Sequence, residues 1–350
     1  MKAPSSSFHL PSLDGIRAAS IALVFVAHAG WGDIVPGGLG VTIFFFLSGF
    51  LITSLLRREH ARSNTINIKH FYIRRAYRIL PPFYLALAFS GLLAVLGMLP
   101  GTVTLKGMAL LALHLGNYAQ IFWPEAAIPM GSGVFWSLAV EEHYYLTFPF
   151  VALFLLKRDR RTAFVVLGML AVVVLAWRFY LVSQGAPHIR TNYASDTRVD
   201  SILWGALLAF CMNPRIDPVP ESATRLRGPL LAAGFGLLVY SLVYRDEAFR
   251  ETWRYSLQGV ALLPIFYYAV KDPEFFAFKW LNNKLMSYIG GLSYTLYLVH
   301  HVIIFTIQKN LPAVPLVAQA LIALALSFGL AALSYRYLEK PLAKLRHKYS

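Results

Sequence analysis

Cysteine is nearly absent from this chain of 350 residues: the single thiol, Cys211, excludes an internal disulfide and a cysteine-built metal cluster. Charge is scarce as well, at 14% against 57% hydrophobic residues. That shortage excludes a soluble α/β enzyme, whose helices need charged outer faces. Internal repeats, low-complexity tracts and long polar insertions are missing, so residues 1–350 are expected to form one bundle without an appended soluble domain. Acidic residues are the scarcest charged kind, 17 against 32 Lys and Arg, for a formal net charge of +15. The excess does not argue for a nucleic-acid partner, because the basic residues sit in short loops and not on an exposed basic domain.

What the sequence does have is apolar runs long enough to cross a hydrocarbon core of about 30 Å. Runs and breakers predict ten spans, near 13–31, 38–57, 79–99, 134–156, 162–181, 199–212, 228–244, 255–271, 288–307 and 315–336. The expected fold is therefore an all-α polytopic bundle in the lipid bilayer. With the N-terminus in the cytoplasm, 23 basic residues fall inside, from Lys2 through "KRDRR" to the Arg336–Lys348 tail, and seven fall outside. This positive-inside bias predicts that both termini are cytoplasmic, in a multi-pass protein of the cytoplasmic (inner) membrane. An eleventh crossing by "LKGMALLALHLGNYAQIFW", near 105–123, would move "KRDRR" outside, so that segment is expected to be re-entrant on the outer side. Ala27-His28-Ala29 imitates a signal-cleavage site, but Asp14 and Arg17 interrupt the approach to it and no cleavage is expected.

The first span, "LDGIRAASIALVFVAH" (13–28), carries ionisable groups at both ends. Arg17 and His28 are eleven residues apart. On an ideal α-helix that is about 1,100° of rotation, about 20° short of the same face, and about 16 Å of rise. Asp14, three residues before Arg17, can pair with it near the inner surface. The plainer alternative is that Arg17 snorkels to headgroups while His28 caps a helix end.

The Arg17-x10-His28 spacing resembles the signature of the membrane acyltransferase-3 family. Other blocks stand in the family's order: "GGLGVTIFFFLSGFLIT" (37–53), "FYIRRAYRILPPFY" (71–84), "FWSLAVEEHYYLTFP" (135–149), "TRVDSILWGALLA" (197–209), "GGLSYTLYLVHH" (290–301) and "YLEKP" (337–341). The resemblance implies transfer of an acyl group, usually acetyl, from cytoplasmic acyl-CoA to an extracytoplasmic hydroxyl. Acetyl-CoA would be the donor, with no metal, and the acceptor a lipo-oligosaccharide, exopolysaccharide or surface glycan, as in stand-alone Nod-factor O-acetyltransferases. Acylation of a macrolide-type small molecule is the variant of the same chemistry. Some family members carry an extra C-terminal domain; this sequence ends at "EKPLAKLRHKYS", which favours a smaller or lipid-borne acceptor.

Such chemistry needs a phosphate-binding surface inside and a base farther out. Arg74, Arg75 and Arg78, with Arg17 and Asp14 beside them, are the expected donor site, since the arginine fork binds phosphate bidentately. A positive-inside anchor is the alternative for that cluster. His28 is the expected base, because imidazole can take a hydroxyl proton and return it to a departing thiolate, and Glu141 is expected to orient its ring. Glu142 and His301 fall at similar depth, and intramembrane ionisable groups default to function. His300, with Tyr294 and Tyr297 on its face, is the competing base. Trp136, Tyr145, Arg198, Asp200, Tyr297 and His300 are placed on the substrate side, although Arg198 and Asp200 could instead pair with each other. Ser48 in "FFFLSGF" is a candidate acyl carrier, but Ser-Gly inside a membrane helix fits a close-packing device better. No H-E-x-x-H arrangement points to a metal. The pantetheine arm of CoA, of order 15–20 Å, is comparable to the span from Arg17 to His28. From a different class, a proton-coupled transporter would use Asp14, Arg17, His28 and Glu141 as a relay, yet no inverted repeat supports it.

Overall fold

Without water to bond, a backbone in lipid must satisfy its own N–H and C=O groups, and long apolar runs therefore become helices. A computed structural model describes residues 11–349; Lys2, part of the charge argument above, lies outside them. The chain runs α1 (Pro11–Val26) into a π-turn (Ala27–Trp31), then α2 (Gly37–Ser63), α3 (Ile68–Val95), α4 (Leu105–Ala112), α5 (Gly116–Phe122) and α6 (Phe135–Leu156). It continues as α7 (Arg160–Ser183), α8 (His188–Tyr193), α9 (Ser195–Cys211), α10 (Ser222–Val243), α11 (Glu247–Glu251) and α12 (Trp253–Lys271). Last come α13 (Phe276–Lys279), α14 (Lys284–Asn310), α15 (Leu316–Ser334), a second π-turn (Tyr335–Glu339) and α16 (Lys340–Arg346). Among the described residues there is no strand.

All ten expected runs are helical, but ten full spans is not what length and composition support. Seven helical segments qualify to cross a membrane: Ser12–Trp31, α2, α3, α7, α10, α14 and Leu316–Arg346. The exceptions are α6, α9 and α12. The first carries Glu141, Glu142 and His143 at its middle, and α9 has only 17 residues. Almost every residue of α9 from Thr197 to Phe210 is buried in protein, so lipid does not set its length.

The 105–123 segment breaks into two short helices at His114, whose φ of 56° is left-handed. Its two ends meet: Thr104 N–H donates to the Ala127 carbonyl (2.9 Å) and Lys106 pairs with Glu125 (2.5 Å). A segment whose ends touch doubles back on itself and does not run straight on. Side-chain caps begin several helices: Asn67, Thr104, Asp159 and Asn283 each accept from a backbone N–H in the first turn of α3, α4, α7 and α14. At the arginine-rich end, Asp217 grips Arg57 through two bonds of 2.7 and 2.9 Å. Burial would raise its carboxyl pKa, but Arg57 and the Asn213 N–H outweigh that and hold it below its ordinary value.

The tightest crossing joins α2 to α9, where Gly49 faces Ile202 and Gly205 faces Phe46. A Cβ on Gly205 would stand 1.9 Å from the Phe46 carbonyl oxygen, and one on Gly49 would stand 2.0 Å from that of Ile202. Gly49 is thus the close-packing half of the Ser48-Gly49 pair, while Ser48 faces a cavity. Gly205→Ala is expected to cost about 1–3 kcal/mol, read as a lower melting temperature in detergent. Gly236→Ala, with nothing near its Cβ position, should not show that loss.

Candidate active site

Four residues of α6 share one face at helical spacing: Ser137, Leu138, Glu141 and Tyr145. With Arg17 of α1, Ser48 of α2, Arg75 and Arg78 of α3, and Tyr294 and Tyr297 of α14, they line a cavity of about 100 Å³. A water takes about 10–15 Å³ of such space, so the cavity admits an extended chain but not a nucleotide. Three arginines enter its lining. Arg17 is ion-paired with Asp14, and the Arg75 guanidinium lies 5.6 Å from the Tyr145 ring. Arg74 does not join them: it donates to Glu59 (2.5 Å) and to the Tyr349 carbonyl (2.6 Å), away from the cavity. Around the helix Arg78 lies between the other two, about 60° from Arg75 and about 40° from Arg74, so the cavity on the Arg75 side takes Arg75 and Arg78 while Arg74 points off the opposite flank.

Glu141 accepts from the Tyr145 hydroxyl at 2.8 Å. Its expected role of orienting His28 is overturned, because His28 has a different partner. The π-turn carries His28 to α14, where its Nδ1 stands 2.8 Å from Nε2 of His300. On its other edge, His300 Nδ1 is 2.8 Å from the Tyr297 carbonyl and 3.1 Å from that of Leu296. Carbonyls only accept, so His300 carries its proton on Nδ1 and presents a lone pair at Nε2. His28 must then donate from Nδ1. Its own Nε2 is left with the free lone pair, as a base requires. The two imidazoles expected to compete are therefore a donor and an acceptor in one chain.

His301 stacks on the His28 ring at 4.1 Å between centroids. Its Nδ1 is buried without a hydrogen-bond partner among the described residues. Tyr297 joins cavity to histidines: its hydroxyl lies 2.7 Å from Ser137 Oγ and donates to the Val134 carbonyl (3.0 Å), while its backbone orients His300. The cavity lining stops at Tyr297, three residues before His300.

Substrate-side expectations divide. Tyr145 and Tyr297 do line the cavity, but Trp136 does not; its ring stacks on Tyr193 at 4.7 Å. Arg198 is 1% exposed and bonded to Asn192 and Thr42, with its guanidinium 3.9 Å from the Tyr255 ring. Asp200 pairs neither with Arg198 nor with open space. Its carboxylate takes two bonds from Arg178, 3.0 and 2.8 Å, and one from Ser256, 2.7 Å. Both partners are completely buried, so Asp200 is structural. Ser137 and Ser293 are polar lining residues that sequence reasoning passed over; their places four residues before Glu141 and four before Tyr297 were the available signals.

A polytopic helical membrane protein with an arginine-lined cavity and, beyond its Tyr297 edge, a hydrogen-bonded histidine pair is the class these features define. The model of the acyltransferase-3 family, described as an acyltransferase domain, matches residues 10–336, and the chain belongs to that family. Peptidoglycan O-acetyltransferase OatA of Listeria monocytogenes is 29% identical over 352 residues, covering 96% of this chain and 56% of that protein. O-acetyltransferase OatA of Staphylococcus aureus is likewise 29% identical over 359 residues, covering 96% and 57%. The chain thus spans somewhat over half the length of these relatives. No solved structure matches it.

Proposed function

We propose that this protein transfers an acetyl group from acetyl-CoA to a hydroxyl of an extracytoplasmic carbohydrate, with His28 as general base. The observation that carries the reading is the hydrogen-bond chain from the Tyr297 carbonyl through His300 to His28, which leaves the basic lone pair on His28 Nε2. The family match and relatives named O-acetyltransferases support oxygen as the accepting atom. CoA phosphates would dock at the arginine end of the cavity, taken as cytoplasmic, and the pantetheine arm would run between α1, α3, α6 and α14. The acceptor hydroxyl gives its proton to His28, its oxygen attacks the thioester carbonyl carbon, and the C–S bond breaks as the proton passes to the thiolate. Ser137 and Tyr297 stand where the arm would end. The acceptor class follows the name of the Listeria relative, a peptidoglycan O-acetyltransferase, and the setting is the cytoplasmic membrane.

The test is transfer of label from acetyl-CoA to peptidoglycan fragments, lipid-linked saccharides or free oligosaccharides by the purified protein in liposomes. Label on none of the hydroxyl acceptors overturns the reading. The donor site has its own signature. Arg75→Gln and Arg78→Gln should each raise KM for acetyl-CoA by about 10-fold or more with a smaller effect on kcat, since a charge-assisted bond contributes about 1.5–3 kcal/mol. Arg74→Gln, outside the cavity, should leave KM unchanged.

A further inference from the structure

On the side of α6 turned away from the cavity, α5, α6 and α9 bring together a serine, a histidine and an amide. Ser195 Oγ is 2.6 Å from His143 Nδ1 and 3.1 Å from Asn117 Nδ2. The same Nδ2 reaches the Tyr193 carbonyl at 3.3 Å, and because a carbonyl only accepts, the amide nitrogen must face this way. Asn117 therefore donates to the serine oxygen, and in the His143 tautomer with a bare Nδ1 the serine's own proton is donated to that nitrogen. The His143 ring lies stacked against that of Tyr118, 5.8 Å between centroids. A hydroxyl within bonding distance of a base is the pairing that activates a nucleophile.

A second observation points to a missing ligand. Asn117 is completely buried, yet its Oδ1 has no partner among the described residues, and neither does His114 Nε2. Each such orphan costs about 1–3 kcal/mol unless something completes it. His143 follows Glu141 by two positions, about 200° around the helix, so this group of side chains is separate from the arginine-lined cavity.

We propose that Ser195 is a second, acyl-accepting nucleophile, with His143 as its base and Asn117 holding its oxygen. Its ligand class is an acyl thioester or activated ester. Ser195 Oγ bonds to the acyl carbonyl carbon as its proton moves to His143 Nδ1; the bond from that carbon to sulfur (or oxygen) breaks, and the proton leaves with the thiolate (or alcohol). An acceptor hydroxyl then attacks the seryl ester, gives its proton to His143, and the serine hydroxyl is restored. Only the natural donor rests on the acetyl-CoA reading.

The experiment treats the full chain in detergent with a fluorophosphonate and, separately, with p-nitrophenyl acetate, and maps adducts by peptide mass spectrometry. An adduct on Ser195 is expected, formed at least about 100-fold more slowly in His143→Gln, a variant first checked for an unchanged melting temperature. No adduct on Ser195 from either reagent overturns the proposal, as does equal labelling of a folded His143→Gln. A parallel arm with acetyl-CoA separates the two readings: reagent labelling of Ser195 without any use of acetyl-CoA defeats the donor assignment and leaves the nucleophile standing.

Discussion

His28→Gln should lower the rate of acetyl transfer from acetyl-CoA by at least about 100-fold, the smallest contribution usual for a general base. Glutamine is the informative replacement. Its side-chain amide can still donate to His300 Nε2, which the imidazole does from Nδ1, so the contact between the π-turn and α14 survives. What disappears is the basic lone pair. An unchanged melting temperature with lost turnover assigns the loss to chemistry, whereas a wild-type rate in a folded His28→Gln would remove His28 from the mechanism. His300→Ala tests the chain behind it. With no Nε2 to accept from His28, the imidazole is free to take either tautomer, so kcat should fall about 10-fold while KM for acetyl-CoA stays near its original value. A larger fall in His300→Ala than in His28→Gln would reverse their roles.

The difference between what could be read from the sequence and what could not is one of depth against direction. Arg17 and His28 bracket one helical span, and their places along it followed from counting residues. The partner of His28 did not, because the ideal-helix calculation assumed 3.6 residues per turn and the chain makes a π-turn at Ala27–Trp31. Glu141 had the right depth to meet His28 and faces the cavity instead. Arg74 and Arg75 show the same limit on a smaller scale, since adjacent helical residues cannot share a face. Asp200 shows it across helices: its partner Arg178 lies two helices earlier, on α7, and no spacing rule links residues on separate spans. That 105–123 does not run straight on was legible because loop charge argued against an extra crossing there, whatever the packing. The shortness of α9 is also visible in sequence, but its enclosure by protein is a property of the assembled bundle.

The Arg178–Asp200 pair leads to the largest expected effect on stability. All five guanidinium N–H groups of Arg178 are used: on the carbonyls of Thr252 (3.0 Å) and Thr197 (2.5 Å), on both oxygens of Asp200, and on Ser256 (2.7 Å). Removing one partner leaves the other charge buried and unpaired, so Arg178→Met is expected to cost about 3–5 kcal/mol and to deplete folded protein from the membrane fraction. The double variant Arg178→Met/Asp200→Leu leaves no buried charge and should recover most of the lost melting temperature, because apolar replacement of a whole pair is often neutral. Asp200→Asn then separates a structural role from the acceptor contact first expected of it. A structural Asp200 lowers the melting temperature, and activity falls with the amount of folded protein. An acceptor-binding Asp200 would raise KM for the acceptor at unchanged stability. The first pattern is expected, since the pair ties α7 to α9 and α12 where α9 carries Arg198 and Ser195, and loosening that tie shifts both.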